Sequence, residues 1–136
     1  DRDTHPSVAH LGQANGVHAD LTAAENLRFA ARLGGVDVSP QRIDGALRSL
    51  GLDALSATPG RPPSQGQPRR VALARLVLLR RRLWLLDEPL SSLDAPSGAL
   101  FLAQIDAHLQ AGGMAVAATH EPLGSATQTL RMGGGA

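Results

Sequence analysis

The residues of this chain that could do chemistry stand at the ends of apolar runs. Asp87 and Glu88 follow Leu83-Trp84-Leu85-Leu86 directly and precede Pro89. An acidic pair at the carboxyl end of a buried strand lies where open α/β sheets bind ligands. The first carboxylate can hold a magnesium ion, and the second can orient or deprotonate an attacking water. The plain alternative is a solvated turn after a strand. His120 closes the run Met114 to Thr119. A neutral imidazole there can hydrogen-bond a terminal phosphate, or can be an exposed loop residue. Ser64-Gln65-Gly66-Gln67 precedes a strongly helical stretch. Helix N-terminal amides attract phosphate, glycine permits close approach, and serine adds a hydroxyl donor. The same tetrapeptide can be an ordinary cap. Ser91-Ser92-Leu93-Asp94 reads as a cap or turn, and Gln13 as an amide in a polar loop. Each feature is weak alone. Together they occur in one order, each at a strand or helix end where a phosphate site would form.

The elements that must carry these residues follow from the pattern. Val8 to Leu11 reads as a strand entering the loop Gly12 to Gly16. Thr22 with Glu25 three residues on forms a capping box, opening a helix that stops at Gly34-Gly35. Ser39-Pro40 opens a second helix with Ile43, Leu47 and Leu50 at helical spacing, ended by Gly51. Ala57 to Pro68 has the composition of a loop or linker. Arg69 to Arg82 is predicted helical, with Val71, Ala74 and Leu78 on one face, arginines on others, and Arg80 to Arg82 closing it. Cations favour a helix C-terminus, and a nucleic-acid or lipid patch is the alternative. Leu83 to Leu86 reads as a strand buried on both faces. Ala95 to Gln110 is predicted helical with Leu100, Ile105 and Leu109 inward, and Met114 to Thr119 is predicted to be a second buried strand. Strand, helices, strand, helix, strand indicates an α/β fold with a parallel sheet.

Composition narrows the classes. The 136 residues are 43% hydrophobic and 18% charged, a globular balance. Thirteen basic against twelve acidic residues leave a formal net charge of +1, which argues for no nucleic-acid partner. There is no cysteine, so disulfides and thiol chemistry are excluded. Every one of the cations is arginine, so no phosphate-loop lysine exists in the chain. No run approaches the roughly 20 apolar residues that cross a bilayer, and no secretory signal is visible. The chain opens at Asp1 rather than methionine, which suggests residues upstream.

The order of these features resembles the ATP-binding subunit of an ABC transporter, over about Val8 to Leu130. Gln13 matches the Q-loop, Ser64 to Gln67 the signature, Leu83 to Glu88 the Walker B strand, Ser91 to Asp94 the D-loop and His120 the switch histidine. Leu21 to Phe29, Gln67 to Arg75, Leu83-Trp84 and Thr119 to Leu123 are similar to the heme exporter ATP-binding subunits of cytochrome c maturation. Two departures fall on the signature, where Pro63 stands for the leading leucine and Pro68 follows its glutamine. The Walker A motif G-x-x-x-x-G-K-[ST] does not occur.

The resemblance implies a partial P-loop NTPase fold: a parallel sheet core with a helical subdomain, lacking the Walker A strand and the N-terminal β subdomain. Residues 1–20 would be the Q-loop region, 21–57 the helical subdomain, and 58–136 the core with signature, Walker B, D-loop and switch histidine. It implies ATP and Mg2+ as cofactors, with Glu88 and His120 catalytic and Asp87 and Gln13 near the metal. Gln13, Ser64, Gln65, Gly66, Gln67 and Asp94 would contact nucleotide or the dimer partner. It implies a homodimer with membrane permease subunits at the cytoplasmic face of the bacterial inner membrane. With the Walker A strand gone, Met114 to Thr119 is expected to form an exposed edge. The alternatives are a fragment or pseudo-subunit that only docks or dimerises, and the ATPase of a different exporter.

Overall fold

The computed structural model describes residues 8–52, 68–120 and 123. Their elements run β1 (Val8–Leu11), α1 (Ala23–Leu33), α2 (Pro40–Ser49), α3 (Pro68–Leu79), β2 (Leu83–Asp87), α4 (Ala95–Gln110) and β3 (Met114–Ala118). The three strands form one parallel sheet in the order β1-β2-β3. The register pairs Leu11 with Leu86 and Asp87 with Ala118, so the carboxyl ends of all three strands meet along one rim.

Local chemistry fixes the helices. Thr22 Oγ1 accepts from the Glu25 amide at 3.1 Å while Glu25 Oε1 accepts from the Thr22 amide at 2.8 Å, the reciprocal box expected at the start of α1. Asn26, buried in the first turn of α1, bonds the His18 amide at 2.8 Å and reaches the carbonyls of His18, Leu21 and Thr22, so the segment leading from the β1 loop is fixed to that helix. Helices α1 and α2 end alike. Val36 bonds back to Ala31 and Leu52 to Leu47 across Gly35 and Gly51, which hold φ values of 68° and 76°. Those left-handed angles are open to glycine and costly for side chains with a Cβ.

Helix α3 is the centre of the molecule. Val71, Ala72, Leu73, Ala74, Leu76 and Leu78 are all buried, and α1, α2, α4 and β1 pack around it. A helix apolar on all sides is a core helix rather than a surface one. This corrects the expectation of one apolar face with arginines elsewhere, because Arg69 is itself buried. The arginine run also differs from expectation. The helix stops at Leu79, Arg80 takes a φ of 53°, and Arg80 to Arg82 lie beyond the helix as the lead into β2. The cation at the α3 C-terminus comes from another helix: Arg42 of α2 donates to the Leu78 carbonyl at 2.8 Å.

Three further readings of burial change. In β2, Trp84 and Leu86 are buried while Leu83 and Leu85 are half-buried, so the strand alternates instead of being buried on both faces. In α4 the buried stripe is Ser97, Phe101 and Ile105, at i, i+4, i+8; Ile105 is inward as expected, whereas Leu100 and Leu109 are exposed. Strand β3 is not a buried strand. Val116 is 62% exposed and Met114 52%, and β3 is an edge of the sheet among the described residues, as the expected loss of a neighbouring strand required.

Candidate functional site

The rim at the carboxyl end of the sheet carries the acids and the histidine. β2 delivers Asp87 and Glu88, and β3 runs beside it into Thr119 and His120. The Glu88 amide donates to the Ala118 carbonyl at 2.8 Å, extending the strand pairing by one residue. Glu88 then turns. Its φ is 46°, left-handed for a residue with a full side chain, and it stands before a proline, where extended backbone is the default. The turn continues through Pro89, which is almost fully buried, and closes where the Ser91 amide donates to the Glu88 carbonyl at 3.1 Å.

This turn directs the Glu88 carboxylate at β3. Oε1 accepts from the His120 amide at 3.1 Å, and Oε2 accepts from the Thr119 hydroxyl at 3.3 Å. His120 Nε2 lies 3.4 Å from Oε1. The Glu88 side chain is 27% exposed and that of His120 is 96% exposed, so the carboxylate is sheltered while the imidazole is open to solvent. A carboxylate with a histidine partner, sheltered but open to one side, can take a proton from water or orient it.

On the opposite flank, arginines of α3 hold the loop that carries Gln13. Arg69 Nη1 donates to the Gly12 carbonyl at 2.8 Å and to Asn15 Oδ1 at 3.1 Å. Its Nη2 donates to the carbonyls of Asp87 at 3.0 Å and Glu88 at 2.7 Å. Arg75 donates to the carbonyls of Asn15 at 2.9 Å and Gly16 at 3.2 Å. Burial pushes both guanidinium groups below their ordinary range, and the Asp87 carboxylate pulls Arg69 part of the way back.

The sequence-derived candidates therefore divide. Glu88 and His120 are in contact, and Asp87 sits one residue away on the same rim. Gln13 is exposed, on the loop that Arg69 joins to the acids. Asp94 caps α4, accepting from the Ser97 amide at 2.9 Å. Hydrogen bonds from the Ser97 side chain and amide hold its carboxyl below the usual carboxylate range. Ser64, Gln65, Gly66 and Gln67, with Pro63, lie outside the described residues, whereas Pro68, expected in the same loop, instead opens α3. Sequence reading did not single out Arg69, Arg75 or Thr119. One signal was available for Arg69: it stands at i−4 and i−7 from Leu73 and Leu76, on an apolar side of its helix.

A parallel sheet with an acid pair at one strand end, a histidine at the next, and a helical pair packed on the connecting helix defines an ABC-type ATPase fold. The sequence model of the ABC transporter family matches residues 1–91, and the chain belongs to that family. Among its relatives is the cytochrome c biogenesis ATP-binding export protein CcmA of Cupriavidus necator, 54% identical over 126 residues, which are 93% of this chain and 55% of that protein. The chain thus spans little more than half the length of such relatives. An ABC transporter ATP-binding protein from Pyrococcus furiosus superposes with a TM-score of 0.70 at 26% identity, over 89% of this chain and 60% of the other. A dimeric ATP-binding cassette bound to ADP and phosphate superposes with a TM-score of 0.71 at 24% identity, over 85% and 53%, a likeness of fold.

Proposed function

We propose that these residues form the part of an ABC exporter's ATP-binding subunit that runs from the Q-loop to the switch histidine, in a protein serving heme export for cytochrome c biogenesis. One observation carries the reading: the Glu88 carboxylate and the His120 imidazole lie 3.4 Å apart at the carboxyl ends of adjacent parallel strands. In this reading two copies enclose ATP between them. Glu88 polarises the attacking water, and His120 contacts the γ-phosphate. Ser64 and Gly66 bind the γ-phosphate of the nucleotide held by the other copy, with Gln65 and Gln67 completing that loop. Asp94 lies at the contact between copies. Residues 21–57 dock on permease subunits, at the cytoplasmic face of the inner membrane. Among the described residues no helix is long and apolar enough to cross a membrane.

The donors present fit magnesium. Asp87 offers a carboxylate and Gln13 an amide oxygen, both hard ligands. Among the described residues no cluster of three or more His, Cys, Asp or Glu could hold a metal. Two oxygen donors suit an ion that keeps water and phosphate oxygens as its other ligands. When bound, magnesium would neutralise charge on the phosphates.

A second reading has an observation of its own. The chain contains no lysine and no Walker A stretch. It could dock or dimerise without catalysis, lending residues 64–67 to a partner's site. Purified alone, the chain is expected to hydrolyse no ATP above background in either case. The decisive experiment joins it to the part of the Cupriavidus relative that it does not span. ATP turnover is expected in the joined protein, falling on the order of 100-fold in Glu88→Gln with nucleotide binding retained. Turnover in Glu88→Gln close to that of the parent would remove the role given to Glu88.

A further inference from the structure

We propose that Arg69 is a positioning residue that holds Glu88 in its left-handed turn and joins that turn mechanically to the loop carrying Gln13. The inference rests on the functional reading above only for the importance of Glu88 and Gln13; the coupling itself stands on geometry.

The guanidinium is placed where burial is unfavourable. Arg69 is 2% exposed, and its Nε is buried without a hydrogen-bond partner among the described residues. Arginine is rarely buried unless paired with a carboxylate. Here the partners of the fork are four oxygens, three of them backbone carbonyls. One nitrogen serves the Gln13 loop, through Gly12 and Asn15. The other serves the acid turn, through Asp87 and Glu88. A planar guanidinium with its nitrogens in a fixed fork spans two loops in this way, and a lysine ammonium does not.

The Glu88 turn needs such support. A left-handed φ on a residue with a Cβ is strained, and persists where the surroundings over-determine it. Glu88 is held at every polar group: amide to Ala118, carbonyl from Arg69 and Ser91, carboxylate from Thr119 and His120. Arg69 supplies the shortest of these bonds, at 2.7 Å, and alone among them reaches the Gln13 loop. A shift of that loop therefore moves the donor that fixes the base. Arg70, the next residue, lies on a different helix side and reaches Leu50 and Gly51 at 3.4 Å each, outside this rim.

Native-state hydrogen exchange on the 136-residue chain, without nucleotide, tests the coupling. Arg69→Lys keeps the charge and one donor. It is expected to raise exchange about tenfold at the Glu88 and Ser91 amides, with α1 and α2 amides unchanged. Asn15→Ala, on the far loop, is expected to raise Glu88 exchange in the parent chain and to add nothing in Arg69→Lys. A uniform rise across all elements would make Arg69 a packing residue and overturn the proposal. So would a Glu88 amide that ignores Asn15→Ala. Arg69→Gln should exceed Arg69→Lys at the same two amides; if it does not fold, the lysine variant and Asn15→Ala still decide the matter. Because no nucleotide is present, failure here leaves the ATPase reading intact, and failure of Glu88→Gln to slow the joined protein leaves this coupling intact.

Discussion

Strands β1 and β3 flank the same central strand with the same parallel pairing, yet they live in different surroundings. On the β1 side, α3 packs across the strand, Leu11 is 1% exposed, and two arginines hold the following loop. On the β3 side, α4 covers one face, and Met114 and Val116 face outward. Strand pairing does not favour β1, since four residues pair there and five on the β3 side, so burial is what separates them. The half of the site that is anchored from three directions lies with β1. The half that presents His120 to solvent lies with β3. Preorganisation and access are thus assigned to opposite flanks of β2.

Deleting apolar contact on each flank tests that contrast most severely. Leu11→Ala is expected to cost about 3 kcal/mol, since a fully buried leucine leaves a cavity that its neighbours fill poorly. Urea unfolding followed by circular dichroism measures it. A cost below about 1 kcal/mol would mean that the β1 side collapses as easily as an exposed one. The helix on that flank gives the next largest effect. Thr22 is 5% exposed and caps α1 in a reciprocal box, so Thr22→Ala is expected to cost about 1 kcal/mol, with Thr22→Ser close to the parent.

The corresponding change on the other flank is expected to do little to folding and much to solubility. Val116→Thr at a 62% exposed position should shift stability by less than about 0.5 kcal/mol. An exposed apolar edge strand is a template for pairing with another chain. Light scattering should therefore rise more slowly with concentration in Val116→Thr than in the parent. Equal scattering in both would show that β3 is not the sticking surface.

Much of this contrast was legible in the sequence, and the parts that were not share a cause. Capping boxes and terminal glycines are local, so α1, α2 and α4 could be bounded to within a residue or two from Thr22, Ser39, Gly51 and Asp94. The acid pair and the histidine were legible because strand ends are marked by a change from apolar to polar. What a helix meets on each side is not local. Leu100 and Leu109 are expected inward with Ile105, but Leu100 lies about 100° round the helix from the buried Phe101, and Leu109, in line with Ile105, is left open at the helix end. Arg69, expected outward as a charged residue, is instead buried where backbone carbonyls from two loops receive it. Met114 to Thr119 reads as interior because it is apolar, and only the resemblance points to an exposed edge there.

The smallest expected effect separates the two caps. Thr22 is uncharged and buried, whereas Asp94 is exposed and titrates. Ser97 holds the Asp94 carboxyl below the ordinary carboxylate value of about 3.9. A depressed pKa in the folded state means that the unfolded chain binds the proton more readily. The contribution of Asp94 is therefore complete above the ordinary value and is lost as pH falls through the lower, folded-state value. Asp94→Asn keeps a capping oxygen and removes the titration. The difference in urea midpoint between parent and Asp94→Asn should be constant from about pH 7 to pH 5 and shrink below about pH 4. At an exposed site, added salt should reduce that difference as well. A pH-independent difference would mean that the charge on Asp94 adds nothing beyond the capping oxygen that asparagine also supplies.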